Sequence, residues 1–234
     1  MLTFRKGLMQ GIGIALGYLS VSFSFGILAV QSGLTVWQAV LISVTNLTSA
    51  GQVAGVGLIA ANAAPMELFL AELVINIRYG LMSIALSQKA DKSFRFPYRL
   101  LASFGITDEI FALASIQKEP LKPAFLYGLT LIAFLGWTFG TWLGAAAGTL
   151  LPEKLTNSLG IALYGMFLAI ILPPARKSKG ILTVVLLAAF FSVLLKMTLK
   201  WMSGGFVLIL ASVAAAVIGA LIFPADAEQT EVHE

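Results

Sequence analysis

The sequence predicts an all-α polytopic membrane protein, with about six transmembrane helices plus one or two broken or re-entrant segments. Three observations predict it. Of 234 residues, 59% are hydrophobic and only 11% charged, where a soluble domain carries roughly 25% charged residues. The apolar residues fall in runs near the roughly 20 residues that a helix needs to cross a bilayer. Short basic clusters separate those runs, and such clusters set orientation in a membrane. Residues 1–224 read as one integral membrane domain, and 225–234 as a short acidic cytoplasmic tail.

Composition also narrows the chemistry. There is no cysteine, so disulfides and thiolate metal sites are excluded, and the single histidine is His233 in the tail. No metal site and no cofactor are expected. The net charge of +4 is small and sits in loops. It is a topology signal, and no nucleic-acid partner is expected.

In chain order, residues 9–30 form the first span. Gly11, Gly13 and Gly17, then Ser20, Ser22 and Ser24, allow close helix approach. The run is too long for a signal-peptide core and no small-residue cleavage site follows, so the span is expected to be uncleaved. Residues 36–61 are long enough to cross, but their centre reads Asn46-Leu47-Thr48-Ser49-Ala50-Gly51-Gln52. Polar, flexible residues at that depth predict a broken helix or a re-entrant hairpin.

Residues 65–86 form the next span, roughly 33 Å as a helix. Glu72, Asn76, Tyr79 and Ser83 make one polar stripe along it. Residues 88–99 are basic. Residues 101–116 follow, too short to cross at about 24 Å, and are expected as a half-helix or an interfacial segment. Residues 125–151 carry glycines at 136, 140, 144 and 148, a smooth face for helix packing. A short span at 159–172 ends at Pro173-Pro174, and 181–201 and 204–223 are the last two spans.

Charge sets the topology. Arg5, Lys6, Lys89, Lys92, Arg95, Arg99, Lys118, Lys122, Arg176, Lys177 and Lys179 are 11 of the 15 basic residues. Placing their loops in the cytoplasm satisfies the positive-inside rule. The N-terminus and the 88–99 loop then lie on one side, which needs an even number of crossings between them. Making 36–61 re-entrant provides it, with both termini inside. Seven crossings with the N-terminus outside is the alternative, and it puts Arg5 and Lys6 on the wrong face.

Most polar features have an ordinary reading. Glu67, two residues after Pro65, is a first-turn acid that suits the helix dipole. Arg78 can snorkel to headgroups, and Thr107-Asp108-Glu109 can be a plain N-cap with an acidic first turn. Trp137, Trp142 and Trp201 read as packing or interface anchors. Glu72 with Asn76 resists this treatment, because nothing at that depth hydrates a carboxylate. A broken helix at 48–52 offers free amides and hydroxyls to a carboxylate, while unwound carbonyls and a buried acid suit an ammonium. A zwitterion with an apolar side chain needs both. No phosphate-binding Gly-x-x-x-x-Gly-Lys-Ser/Thr loop is present, so ATP is not the energy source. Proton coupling would need a carboxylate, and Glu72, Asp108 and Glu109 are the candidates.

These residues carry a resemblance. Phe23-Ser24-Phe25-Gly26, Thr48-Ser49-Ala50-Gly51-Gln52, Asn76-Ile77-Arg78-Tyr79 and Thr107-Asp108-Glu109-Ile110-Phe111-Ala112-Leu113 resemble motifs of the AzlC family, the large subunit of bacterial branched-chain amino acid permeases and exporters. The likeness spans roughly residues 5 to 220. Tyr79 stands where the family has histidine, and the stretch before Gln52 lacks the usual aromatic start. The resemblance implies a transporter domain in the bacterial inner membrane. It would move branched-chain amino acids, usually outward, with a small AzlD-type partner in the bilayer. The implied substrate-binding set is Thr48, Ser49, Gly51, Gln52, Asn76, Arg78, Thr107, Asp108 and Glu109. Two other readings stand beside it. One is a non-transporting assembly subunit whose polar stripe docks a partner. The other is an intramembrane enzyme, for which only the carboxylates remain, so no enzymatic activity is expected.

Overall fold

The computed structural model describes residues 1–150, 165, 168 and 171–224. Its described helices are α1 (Phe4–Gln31), α2 (Val36–Thr45), α3 (Ser49–Ala60), α4 (Pro65–Gln88), α5 (Phe96–Phe104), α6 (Asp108–Ser115), α7 (Pro123–Leu150), α8 (Lys179–Thr198) and α9 (Gly204–Ile222). Residues 171–177 are also helical. Among the described residues, α1, α4, α7, α8 and α9 are long and apolar enough to cross a membrane. The span expected at 159–172 lies largely outside the described residues, and the 225–234 tail lies wholly outside them.

Local chemistry fixes the helix starts. The Thr3 hydroxyl accepts from Lys6 N at 3.2 Å, so α1 begins at Phe4, ahead of the apolar run expected from residue 9. Thr35 and Gln38 form a reciprocal capping box on α2. Gly33, at φ +90°, makes the turn between α1 and α2 that a side chain would resist. The expected single short segment at 101–116 is corrected to two helices. Helix starts at Phe96 with Pro97 in its first turn, and it stops at Gly105. Thr107 then caps α6.

The chain forms two compact units, Met1–Val56 with Ile75–Leu163, and Gly57–Val74 with Tyr164–Glu234. The spine of the first is α1 against α7. Side chains added at Gly128, Gly136, Gly140, Gly144 and Gly148 would meet Phe4, Ala15, Leu19, Phe23 and Ile27 in turn. Both series rise together, so the two helices run parallel. Glycine at each step lets the backbones touch. Phe25, Ile27, Phe125, Leu129 and Trp137 are buried along this spine.

One end of that unit gathers the basic loops. The Met1 ammonium lies 3.1 Å from Glu119, and Lys6 lies 4.0 Å from it. Leu121 N donates to Lys89 O at 2.8 Å, and Asp91 N to Leu121 O at 2.9 Å. The N-terminus, the 88–99 loop and the 117–122 loop thus share one end. The hydrogen bond from the N-terminal ammonium holds the Glu119 carboxyl below its usual range.

Two short hairpins enter the unit from opposite ends. The Gln52 amide nitrogen lies 3.4 Å from both Ile42 O and Ser43 Oγ. The first turn of α3 therefore lies beside the last turn of α2. A straight helix would separate these positions by about 15 Å. In the second hairpin, α5 follows α7 inward, from Tyr127 on Tyr98 to Phe134 against Phe104. Then α6 returns along α1, from Glu109 beside Tyr18 to Gln117 beside Gln10. The first hairpin starts where α1 ends, and the second opens at the basic end.

In the second unit α8 and α9 pair antiparallel: Gly180 faces Phe223 and Gly219 faces Val184.

Candidate functional site at two opposed hairpin tips

The first tip is the break between α2 and α3. Asn46 turns extended at φ −149°, ψ 125°, and its Oδ1 accepts from Thr48 N at 2.7 Å. Gln52 is 1% exposed. Its amide nitrogen donates to Asn46 O, and its Oε1 accepts from the Trp137 indole at 3.0 Å. Ser43 and Thr141, both fully buried, share a hydrogen bond of 2.7 Å beside it. The Thr48 hydroxyl is buried with no partner among the described residues. Ser49 and Gly51 form the first turn of α3.

The second tip is the break between α5 and α6. A side chain on Gly105 would strike the Thr130 side chain of α7, so glycine lets the break lie close against α7. The buried Thr107 hydroxyl accepts from Ile110 N at 3.4 Å. The Tyr18 hydroxyl lies 2.5 Å from Thr107 Oγ1 and 2.6 Å from Glu109 Oε2. A phenol has one proton, and a carboxylate only accepts. Tyr18 therefore donates to Glu109, and the Thr107 hydroxyl donates to the phenol oxygen.

Arg78 of α4 reaches the same tip. Its Nη2 lies 2.9 Å from Asp108 Oδ2, with both side chains 44% exposed. The guanidinium also donates to the Tyr79 hydroxyl at 3.2 Å and sits 5.0 Å from that ring's centre. The adjacent acids thus have different partners, Arg78 for Asp108 and Tyr18 for Glu109.

The tips are joined. The Tyr18 and Trp137 rings meet edge to face, 5.1 Å apart at 82°. A buried chain therefore runs from Gln52 through Trp137 and Tyr18 to Thr107, and it ends on the exposed Glu109.

The structure brings Thr48, Ser49, Gly51 and Gln52 to one tip and Arg78, Thr107, Asp108 and Glu109 to the other. Asn76 is partly buried on α4, half a turn before Arg78. Glu72 is also partly buried, in the part of α4 that belongs to the second unit. Sequence reasoning missed Tyr18, Ser43 and Thr141 and gave Trp137 only a packing role. The signal available was that buried Tyr and Trp seek a polar partner. Glu67 does lie in the first turn of α4, as expected, and it has a second role. It is 3% exposed and accepts from Ser203 Oγ at 2.5 Å and Gly205 N at 2.8 Å, at the start of α9.

A cavity of about 240 Å³ lies between the end of α4, the 88–99 loop, α5 and the start of α7, and it reaches the second tip only at Ile106. It is mostly apolar. Among the described residues, no cluster of histidine, cysteine and carboxylates fits a metal ion.

A family model described as AzlC protein matches residues 13–151, the stretch that holds both tips. An uncharacterized membrane protein of Archaeoglobus fulgidus is 32% identical over 172 residues, covering 73% of this chain and 75% of that one. The inner membrane protein YgaZ of Escherichia coli is 25% identical over 201 residues, 82% of each chain. An uncharacterized membrane protein of Helicobacter pylori is 28% identical over 150 residues, 62% of this chain and 64% of its own. No solved structure matches. With its long apolar helices, its two broken segments and this match over more than half its length, the chain belongs to the AzlC family of membrane proteins.

Proposed function

We propose that the protein is a secondary transporter subunit that exports branched-chain or similar apolar amino acids. It works with a small AzlD-type subunit in the bacterial inner membrane, coupled to protons. The observation that carries this reading is the pair of half-helix tips entering from opposite ends. Half-helix N-termini present free amides and a positive dipole end, which suit a substrate carboxylate. The α3 tip has amides and the unpartnered Thr48 hydroxyl, and no charged side chain of its own. The α6 tip has Asp108 and Glu109, which suit an ammonium group and can carry a proton. The apolar cavity that reaches this tip at Ile106 suits a branched side chain.

Counterflow in proteoliposomes tests the reading, with and without the partner, using labelled leucine, isoleucine, valine and a charged amino acid. Uptake of the three apolar amino acids above protein-free vesicles is expected. No counterflow with the partner present refutes transport and leaves the assembly reading. The basic end is placed in the cytoplasm by its charge. An impermeant thiol reagent applied to whole cells should therefore not label Lys92→Cys, and labelling would reverse the orientation.

A further inference from the structure

We propose that Tyr18 is a positioning residue that couples the two hairpin tips, so that the state of Glu109 at one tip is felt at Gln52 at the other. Tyr18 joins groups of the second tip, Thr107 and Glu109, to Trp137, the residue that holds the first. Its hydroxyl carries Thr107 and Glu109. Its ring fixes the edge of Trp137, and the Trp137 indole in turn holds Gln52. Three features make this a link rather than a chance alignment. Tyr18, Trp137 and Gln52 are 6%, 1% and 1% exposed, so water has little access to these three, and Glu109 is the exposed end of the chain. The Trp137 indole donates to Gln52 at an ordinary 3.0 Å, and the two rings meet edge to face. And Gln52 spends both ends of its amide, one on Trp137 and one on the Asn46 carbonyl that forms the break. If Glu109 loses its charge, its hydrogen bond with the phenol weakens, and if it moves, the phenol reorients. The ring then shifts against Trp137, and the indole pulls on the amide that closes the first tip. A buried hydrogen-bond network transmits such a change because a half-satisfied arrangement is costly. The use of this link in transport rests on the preceding reading, but the link itself does not.

The test needs no transport. The chain has no cysteine, so Ala50→Cys at the first tip is a single reporter. Its rate of maleimide labelling is measured on the purified full-length protein in nanodiscs, with Glu109 and with Glu109→Gln. Glu109→Gln should change that rate by at least about twofold, the lower edge of coupling within one hydrogen-bonded network. The change should vanish in Tyr18→Phe, which keeps the ring and loses only the hydroxyl. It should also vanish in Trp137→Phe, which keeps an aromatic and loses the donor to Gln52. If one of these variants does not fold, the other tests the same chain one step further along. No change in the parent overturns the proposal, and so does a change that survives in either folded variant. A protein that shows the coupling but fails counterflow refutes only the transport reading.

Discussion

Replacing Gly144 and Gly17 separately by alanine isolates the packing term of the α1–α7 spine. A Cβ on Gly144 would land on the Phe23 carbonyl, with Phe23 C at 2.6 Å and Cα at 2.8 Å. Those are backbone atoms, so no side chain can swing aside and the helices must part. Ordinary Cβ contacts begin near 3.4 Å. An opening of even 0.5–1 Å forfeits about a quarter to a half of each dispersion contact along the seam. Gly17, also on α1, has nothing within 4 Å of its Cβ position. Both substitutions gain the same helix propensity, about 1 kcal/mol. The difference between the two variants is then the overpacking cost alone, about 1–3 kcal/mol. At roughly 2–4 °C per kcal/mol for a chain of this length, Gly144→Ala should melt several degrees below Gly17→Ala in one detergent. The assay is thermal unfolding followed by size-exclusion recovery. If the two variants melt together, the seam tolerates a methyl group and the close contact inferred here is wrong.

Two further outcomes follow from the polar contacts. Arg78→Gln and Asp108→Asn should be non-additive, with a coupling of about 1 kcal/mol or less, since both side chains are 44% exposed and screening limits such pairs. Strictly additive melting shifts in the double-mutant cycle would show that the contact stabilises nothing. Glu67→Ala leaves the Ser203 hydroxyl and the Gly205 amide without their acceptor, so a loss of about 1–3 kcal/mol is expected. Glu67→Gln keeps an acceptor and should lose less. Equal stability of Glu67→Ala and the parent in thermal unfolding would mean that the start of α9 finds another partner.

What was legible in the sequence follows the range of the interaction. Glycines at steps of four along 136–148 announce a packed face, because spacing alone places them on one side of a helix. The break near 46–48 was legible because asparagine, threonine and serine interrupt an apolar run. The second break was only half legible. Arg95 and Arg99 disguised the start of α5 as loop, although Pro97 two residues beyond Arg95 is a first-turn signal. Tyr18 and Trp137 were not legible. An aromatic inside an apolar span reads as packing, and their partners lie 89 and 85 residues away. The first-turn place of Glu67 was legible, but its donors were not, since they are 136 and 138 residues distant. Local chemistry can name a cap, but it cannot name what the far side of a fold brings to it.

The two tips explain each other through one physical requirement. A helix broken inside a membrane leaves backbone amides and carbonyls that neither lipid nor water can satisfy. At the first tip Asn46 and Gln52 supply part of the missing partners, and at the second Thr107 does. Those polar side chains then need partners themselves, and Trp137 and Tyr18 provide them from the α1–α7 spine. The spine therefore has two tasks. Its glycine face brings α1 and α7 into contact, and that contact sets the edge-to-face geometry of the aromatic pair. The same pair closes the space between the tips, with Gln52, Tyr18 and Trp137 all buried. The hairpins are short, at 10 and 12 residues in the first and 9 and 8 in the second. The spine helices have 28 residues each and are held by backbone contact. The long spine, held by backbone contact, thus carries the two short hairpins.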